Sequence, residues 1–432
     1  MLLSKILAVV VVYVVCASFN NDSEFLVVVI STNQNTSFGS RKAEAFLHEF
    51  YNISKLIRIE YRYDGGNPGL AVKHVVDVLK ENRRLVAVVG SGKSQCSMAL
   101  GQLLKHYSIP QISPNSASSL LSDKNEYPFF LRMTTSALER NFVRIKLLKY
   151  FGWKRVFVVT EAIELFYDIY KHFHENAVKH NISIVENFLV HGKHELMSIV
   201  ANLIKHDARI ILMFSYGSIA RDFLCNAYFH GFYGKRYQII FSSSVSNYFL
   251  AKDFQGMGCS QEHAGLVLEG SIREVANNVE NDMFVHPYGS TQNITDVIDF
   301  MYGEDMPFFG LGVDGAAFDA LMITVLNLNE MILQNNSIML FGDNDHLGRA
   351  LLNKLSNSNF QGMLGKIEFD ESGSFKRQIE IQIFSKSFSY YPESIGFYDP
   401  TTGTRNLRLY LSASNNPGCR YGSWNITQRF LF

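Results

Sequence analysis

The sequence has no excess charge of either sign, because lysine plus arginine and aspartate plus glutamate each number 40 in 432 residues. Without a basic surplus, nothing in the overall charge favours nucleic acid or an anionic membrane surface as a partner. Internal repeats and low-complexity tracts are absent as well. We therefore expect a globular protein without a nucleic-acid partner.

Motifs for metal binding and hydrolysis are also missing from the sequence. The segment from His172 to His180 has no histidine pair at i, i+4 with a glutamate base, so a solvated helical face is favoured over a zinc site. "GDNDHLG" lacks the alternation and the closing glutamate of a calcium loop. No G-x-S-x-G elbow occurs, although triads assembled in space are beyond sequence analysis. We expect no cofactor, no metal and no catalysis.

Apolar runs are conspicuous at the N-terminus, where Met1 to Lys5 precede "ILAVVVVYVVCA". One positive charge, a run of about a dozen apolar residues and small residues near Ala17 are typical of a secretory signal. The run is shorter than the roughly 20 residues that span a bilayer, so a membrane anchor is the weaker alternative. We interpret residues 1–17 as a signal peptide and expect no later segment that is long and apolar enough to cross a membrane.

Cysteine is scarce, and four cysteines follow the predicted signal: Cys96, Cys225, Cys259 and Cys419. An even count in an exported chain permits two disulfides, but the spacing leaves three connectivities open. N-x-S/T triplets agree with export, since glycans mark exposed loops. The acceptor asparagines are Asn21, Asn35, Asn52, Asn181, Asn293, Asn335 and Asn425.

The stretch "VAVVGSGKSQ", from Val86 to Gln95, resembles a phosphate-binding loop, because a strand leads into glycines and a lysine. A P-loop needs a glycine five residues before Gly92, so that successive N–H groups wrap the phosphates. Ala87 occupies that position, inside an apolar run. Nucleotide hydrolysis is therefore disfavoured, although the following helix N-terminus suits another anionic group.

Short β-branched runs alternate with amphipathic helical segments up to about Ser246, which predicts parallel sheets covered by helices on both faces. Some eight strands exceed one sheet of usual size, so two α/β lobes are expected. Beyond an irregular stretch from Ala251 to Pro307, we expect a long helix that Asp314 caps. "GKIEFDESGSF" and "RQIEIQIFS" are predicted to form a hairpin around the turn Asp370–Gly373.

Two longer segments resemble the ectodomain of metabotropic GABA-B receptors: "YPFFLRMTTSALERNFVRIKLLKYFGWKRVFVV" and "KHDARIILMFSYGSIARDFLCNAYFHGFYGKRYQIIF". "HLGRALLNKLSNSNFQGMLGKIEFDESGSFKRQIEIQIF" and "IGFYDPTTG" resemble its closing part. The resemblance implies a type I periplasmic-binding-protein fold, in which two Rossmann-like lobes close on a ligand like a Venus flytrap. It places lobe 1 at residues 24–135 and 276–356, lobe 2 at 136–275 and 357–404, and a tail at 405–432.

The resemblance also implies a pocket, carried over position by position. Ser94 matches a first lobe-1 serine that holds the ligand's carboxylate, with a one-residue uncertainty, and Tyr216 matches a lobe-2 tyrosine. A second serine position falls on Ala117, between Ser116 and Ser118. Three family residues are replaced: Thr134 stands for a histidine, Ser244 for a tryptophan and Val313 for the glutamate that pairs with the ligand's amine. The candidate site is Ser94, Ser116, Thr134, Tyr216, Ser244 and Asp314.

Asp314 neighbours the glutamate position and can replace it if the register shifts by one, although a helix N-cap is the simpler interpretation. The resemblance further implies a bond between Cys225 and Cys259, a family pair in lobe 2. The lobe-1 pair falls on Gly66 and on Gly92 or Lys93, so that bridge is lost. Cys96 and Cys419 are then free, paired with each other, or linked to another chain.

These observations lead to the expectation of an extracellular ligand-binding domain of the GABA-B receptor class, without catalysis. Its ligand is a small amino-acid-like molecule or none, and it forms a homo- or heterodimer through lobe 1. GABA itself should bind weakly or not at all, since an unpaired ammonium in a closed cleft costs several kcal/mol. The alternatives are a secreted binding protein of the same fold and the ectodomain of a receptor guanylate cyclase.

Overall fold

The computed structural model describes residues 24–409 except 82, 243–253, 277–282, 286–290, 294–295, 298–299, 302–310, 335–343, 359, 377–378, 385–391 and 400–405. The strands are β1 (Phe25–Ser31), β2 (Ile57–Tyr63), β3 (Leu85–Gly90), β4 (Gln111–Ser113), β5 (Phe130–Arg132), β6 (Arg155–Glu161), β7 (Ser183–Val190), β8 (Ile210–Phe214), β9 (Gln238–Phe241), β10 (Ile272–Ala276), β11 (Met283–Val285), β12 (Thr291–Asn293), β13 (Phe360–Gly362), β14 (Gly365–Ile367), β15 (Ile379–Phe384), β16 (Pro392–Asp399) and β17 (Asn406–Leu409). The α-helices are α1 (Phe38–Phe50), α2 (Pro68–Lys80), α3 (Ser94–Leu104), α4 (Ala137–Tyr150), α5 (Glu164–Lys179), α6 (Leu196–Lys205), α7 (Gly217–Phe229), α8 (Gln261–Leu268), α9 (Leu311–Leu333) and α10 (Asn344–Ser356).

The chain divides into two compact units. Unit 1 takes the chain up to Ser116, then Leu120–Thr134 and Asn278–Phe375, and unit 2 takes Ala117–Ser119, Thr135–Asn277 and the chain from Lys376. Residues 357–375 therefore lie in unit 1, whereas the sequence placed them in lobe 2. The reason is that β13 and β14 pair with each other and β13 pairs with β11, in a four-stranded sheet of order β12-β11-β13-β14.

The main sheet of unit 1 has five parallel strands in the order β2-β1-β3-β4-β5. Its central strands β1 and β3 are buried along their whole length, as expected for continuous apolar runs covered on both faces. The short strand β5 was not predicted, because three residues carry too little periodicity to be recognised. Sequence signals do mark some helix starts: Asn67 caps α2 by accepting from the N–H of Leu70, and Pro68 follows.

Helix α9 contributes many of the buried residues in the hydrophobic core of unit 1. Its segment Val313–Leu333 is long and apolar enough to cross a membrane by composition, contrary to our expectation, but 83% of the apolar window is buried inside the protein. A helix that is apolar on all sides is typical of a buried core element. It packs closely on α1, since a Cβ at Gly39 would lie 2.0 Å from the carbonyl oxygen of Asp314.

The sheet of unit 2 has eight strands in the order β17-β16-β15-β10-β9-β8-β6-β7. The part from β7 to β10 is parallel, and β15 to β17 extend it antiparallel. Helix α4 begins at a cap formed by Ser136, whose hydroxyl accepts from the N–H of Leu138. The predicted parallel α/β architecture is confirmed, with an antiparallel extension that the sequence did not predict.

The predicted C-terminal hairpin is wrong. The turn Asp370–Gly373 exists and closes a single bridge between Phe369 and Phe375. The two flanking strands nevertheless belong to different sheets, since β14 pairs with β13 and β15 pairs with β10 and β16. The chain passes from unit 1 to unit 2 directly after this turn.

Candidate ligand-binding site

The loop after β3 begins with a glycine that no other residue can replace without a shift of the backbone. Gly90 has φ +124°, and a Cβ at this position would lie 2.0 Å from the carbonyl oxygen of Ile30 in the neighbouring strand β1. Ala87 is fully buried within β3. The position of the first P-loop glycine is therefore inside the sheet, where its N–H cannot wrap a phosphate.

A network of buried serines holds the loops after β3 and β4 together. The carbonyl oxygen of Ser91 accepts hydrogen bonds from the hydroxyls of Ser97 at 2.9 Å, Ser113 at 2.6 Å and Ser116 at 3.1 Å. The Ser116 hydroxyl also lies 2.9 Å from that of Ser97. Such a satisfied buried network fixes the path of both loops.

The two candidate serines of unit 1 differ in their surroundings. Ser94 is the first residue of α3 and is 6% exposed, at the carboxyl end of β3. Ser116 is fully buried, with its hydroxyl inside the serine network. A ligand would reach the Ser116 hydroxyl only if this network opened, so Ser94 is the better placed of the two.

In unit 2, Tyr216 lies between the end of β8 and the start of α7. Its backbone N–H donates to the carboxylate of Glu161 at 2.7 Å, and its ring meets that of Phe166 edge to face at 5.1 Å between centroids. Glu161 is the last residue of β6 and is half-buried. The carboxyl ends of two neighbouring parallel strands thus bring the Glu161 carboxylate to the backbone of Tyr216.

A second carboxylate of unit 2 lies against the segment Ala117–Ser119. Asp168, on α5, accepts from the backbone N–H of Ser119 and from the hydroxyls of Ser118 and Ser119. Sequence analysis missed both Glu161 and Asp168. The strand-terminal glutamate of "RVFVVTE" was a usable signal for Glu161, whereas nothing local marks Asp168.

Three predicted site residues remain, of which Thr134 and Asp314 are among the described residues. Thr134 follows β5 in unit 1 and is 4% exposed. Asp314 is half-buried in the first turn of α9, three residues after its start at Leu311. The expectation that Asp314 caps the helix is therefore wrong, because the helix begins earlier than its apolar pattern indicated. Ser244 lies outside the described residues.

Residues 48–385 match the receptor family ligand binding region. The chain belongs to this family. It is 25% identical over 348 residues to gamma-aminobutyric acid type B receptor subunit 1 of Caenorhabditis elegans, covering 78% of this chain and 37% of the relative. It is 26% identical over 363 residues to subunit 1 of Mus musculus, covering 80% of this chain and 36% of the relative. It is 24% identical over 316 residues to subunit 2 of Homo sapiens, covering 69% of this chain and 32% of the relative.

The chain thus spans about a third of the length of the curated relatives it matches. These matches confirm the resemblance to GABA-B receptors that the sequence motifs indicated. The two α/β units agree with the type I periplasmic-binding-protein-like fold of this ligand-binding family. The described residues bring together no group of three histidine, cysteine, aspartate or glutamate side chains that could hold a metal ion.

The disulfide expected of this receptor-family ligand-binding region is present. Cys225 on α7 is bonded to Cys259 before α8, with Cα atoms 5.7 Å apart. Cys96 is a free, fully buried thiol, and burial together with the nearby Asp64 carboxylate raises its pKa to about 12. Cys419 lies outside the described residues, so its pairing stays open.

Four of the predicted glycosylation positions are among the described residues. Asn35, Asn52 and Asn181 are exposed, which a glycan requires. Asn293 is the last residue of β12. Asn335 and Asn425, like Asn21, lie outside the described residues.

Proposed function

We propose that this chain is the extracellular ligand-binding-type domain of a GABA-B-like class C G-protein-coupled receptor. The observation that carries the proposal is the match of residues 48–385 to the receptor family ligand binding region, together with similarity to GABA-B subunits 1 and 2. The domain works by binding and by conformational change, without catalysis. Its location is the extracellular side of the plasma membrane, and its membrane segment belongs to a part of the protein beyond this chain.

The geometry of each unit supports a ligand at the carboxyl ends of the parallel strands, where open α/β sheets bind their ligands. In unit 1 that edge presents Ser94 at the start of α3, where the positive end of the helix dipole favours a carboxylate. In unit 2 it presents Tyr216 and Glu161. The edge of unit 1 by itself suits a carboxylate and the edge of unit 2 by itself suits an ammonium, and an amino-acid-like ligand is the class of molecule that carries both groups.

GABA itself is a poor candidate for this ligand. The position of the family glutamate is Val313, which is apolar and 47% exposed, and it supplies no counter-ion for an ammonium. Thr134 and Ser244 stand where the family has a histidine and a tryptophan, so the contacts of those two side chains with a ligand are also lost. Within the described part of unit 2, Glu161 offers a carboxylate next to the backbone of Tyr216. The ligand is therefore an amino-acid-like molecule of different chemistry from GABA, or the domain binds none and acts through a partner subunit.

The proposal is tested by titrating the purified chain with amino acids, including GABA, in a calorimeter. With a ligand in hand, Ser94→Ala should weaken binding by about 1–2 kcal/mol, the usual loss for a hydrogen bond to a charged group. Lys93→Ala is the matched control and should have a smaller effect. Sub-micromolar GABA binding would contradict the argument from Val313. A larger loss of binding for Lys93→Ala than for Ser94→Ala, together with protection of the loop from proteolysis by nucleotide, would contradict the carboxylate site.

Dimerisation through lobe 1 is part of the proposal, since subunits 1 and 2 of the GABA-B receptor are both relatives of this chain. Light scattering on the purified chain, alone and mixed with candidate partner ectodomains, measures it. The two alternatives are distinguished by the full transcript. A seven-helix segment downstream supports the receptor, a cyclase domain supports a guanylate-cyclase ectodomain, and a mature product that ends at Phe432 supports a secreted binding protein.

A further inference from the structure

The start of helix α8, in unit 2, is held by a capping box in which a histidine stands where glutamate or glutamine is usual. Ser260 precedes the helix, and its hydroxyl accepts from the backbone N–H of His263 at 3.3 Å. In return, Nδ1 of His263 accepts from the backbone N–H of Ser260 at 3.2 Å. The carbonyl oxygen of Ser260 also accepts from the N–H of Ala264 at 3.1 Å. We call Ser260 and His263 the histidine cap.

The geometry of the histidine cap fixes the charge of its imidazole ring. A backbone N–H can only donate, so Nδ1 of His263 must accept, and a ring nitrogen that accepts carries no proton. A glutamate at this position would keep its acceptor oxygens at any pH above about 4.3. Histidine side chains, in contrast, take up a proton between pH 8 and 5. The histidine cap is therefore sensitive to a change of pH that leaves an ordinary capping box unaffected.

The surroundings of the His263 ring offer no ion pair for a positive charge. The ring of Tyr228, on α7, stacks on it with centroids 4.1 Å and planes 8° apart, and the ring of Tyr233 stacks on that of Tyr228. On α8 itself, the neighbouring carboxylate is that of the exposed Glu262. Within the described part of the chain, other histidines have a carboxylate oxygen within 4.0 Å, namely His172, His191, His194 and His206. His263 is not among them.

Protonation of Nδ1 opposes the closed cap in two ways. It sets two donors, Nδ1–H and the N–H of Ser260, against each other, so their hydrogen bond is lost. It also places a positive charge in the first turn of α8, at the positive end of the helix dipole. The Tyr228 ring acts in the opposite direction, because an aromatic face attracts a cation. That attraction is weak for a half-buried ring such as His263, so the two unfavourable effects prevail.

We propose that the histidine cap is an acid-sensitive latch of unit 2, closed while His263 is neutral and open when Nδ1 binds a proton. A folded state that needs neutral His263 binds fewer protons than the unfolded state. This contribution to stability is therefore present at pH 7.5 and is lost as the pH falls toward 5.5. Cys259 directly precedes the cap and is bonded to Cys225 on α7, so the opened segment stays attached. The latch belongs to unit 2 alone and does not depend on which ligand the protein binds.

The experiment compares the wild type with His263→Gln by thermal unfolding of the whole purified chain at pH 7.5 and 5.5 and constant ionic strength. Glutamine completes the capping box with an oxygen that does not titrate. The two proteins should melt within about 1 °C of each other at pH 7.5. At pH 5.5 the wild type should melt about 2–4 °C below the variant, the shift expected when a unit of this size loses one helix cap.

Two control variants separate the latch from a general effect of acid. Nδ1 of His230, at the end of α7, donates to the carbonyl oxygen of Asn226 at 2.8 Å, and a donor survives protonation. The melting temperature of His230→Gln should therefore follow that of the wild type at both pH values. Ser260→Ala removes the cap hydroxyl and keeps the backbone N–H, so this variant should melt below the wild type at both pH values.

Amide hydrogen exchange, followed by mass spectrometry, locates the change along the chain. Residues 260–268 should exchange about fivefold faster in the wild type than in His263→Gln at pH 5.5, and equally fast at pH 7.5. Comparing the two proteins at one pH cancels the pH dependence of exchange itself.

Equal melting temperatures and equal exchange of the two proteins at pH 5.5 would overturn the proposal. So would a wild type that melts above His263→Gln at pH 5.5, because the attraction of the Tyr228 ring would then outweigh the cap. If His263→Gln does not fold, His263→Glu takes its place with the same expected and contradicting results, since glutamate also completes the capping box.

Discussion

Removal of the disulfide of unit 2 should destabilise that unit by an amount that follows from the loop it closes. Cys225 and Cys259 are 34 residues apart, and both are more than nine-tenths buried. On the chain-entropy model, a loop of this length corresponds to roughly 4 kcal/mol. The change to test is the double variant Cys225→Ala and Cys259→Ala, because alanine leaves no buried hydroxyl or lone thiol.

A loss of about 4 kcal/mol is a large part of the 5–15 kcal/mol that stabilises a typical folded domain. We therefore expect a much lower urea midpoint for the transition of unit 2, followed by circular dichroism. The transition of unit 1 provides an internal control, since its core contains neither cysteine. A double variant whose unit 2 unfolds at the wild-type midpoint would refute the reasoning.

Alkylation mapping of the wild type is the companion measurement. Without reductant, folded protein at pH 8 should leave Cys225 and Cys259 unlabelled because they are bonded. Cys96 should also resist labelling, because the raised pKa of its thiol, about 12, leaves little thiolate and because it is buried. Urea should expose Cys96 alone of these three. Labelling of Cys225 or Cys259 without reduction would show that the bond is absent.

Three further outcomes follow from unit 1. Gly90→Ala should unfold or severely destabilise the protein because its Cβ meets the neighbouring strand, whereas Gly92→Ala, with open space around it, should change the melting temperature little. Burial lowers the pKa of Lys124 from its usual 10.5 to about 8, so the unfolded state binds more protons than the folded state between these two pH values. The stability of the wild type relative to Lys124→Met should therefore rise as the pH increases from 8 to 10.5. Urea midpoints of the two proteins that do not diverge with pH would contradict this. Asp319→Ala should cost about 2–4 kcal/mol in urea unfolding, because the Asp319 carboxylate accepts two buried N–H groups, and an unchanged midpoint would refute that role.

Much of the secondary structure could be predicted from local sequence. The apolar runs that became β1, β3 and β8 are buried on both faces, and amphipathic segments between the strands became helices such as α5. These features depend on the periodicity of neighbouring residues, which the sequence contains in full. The motif resemblance then supplied the family and the disulfide partner, information that periodicity does not hold.

The candidate site was predicted only in outline. Ser94 and Tyr216 do lie at the carboxyl ends of strands, since a strand, a loop and a helix that follow one another fix their relative positions. Ser116 is enclosed by hydroxyl contacts with residues far from it in sequence, and no local pattern reveals that. The early start of α9 likewise went unrecognised because glycines precede its apolar pattern.

The sequence by itself determined the alternation of strands and helices, the absence of a P-loop glycine and the cysteine spacing, because each is a property of residues near one another along the chain. Only the tertiary structure decided that the strands on either side of Asp370–Gly373 enter different sheets. It also decided that Asp168 meets Ser119, a residue 49 positions earlier. Such contacts depend on which helix faces pack together, a choice made by the burial of whole units and not by any local pattern.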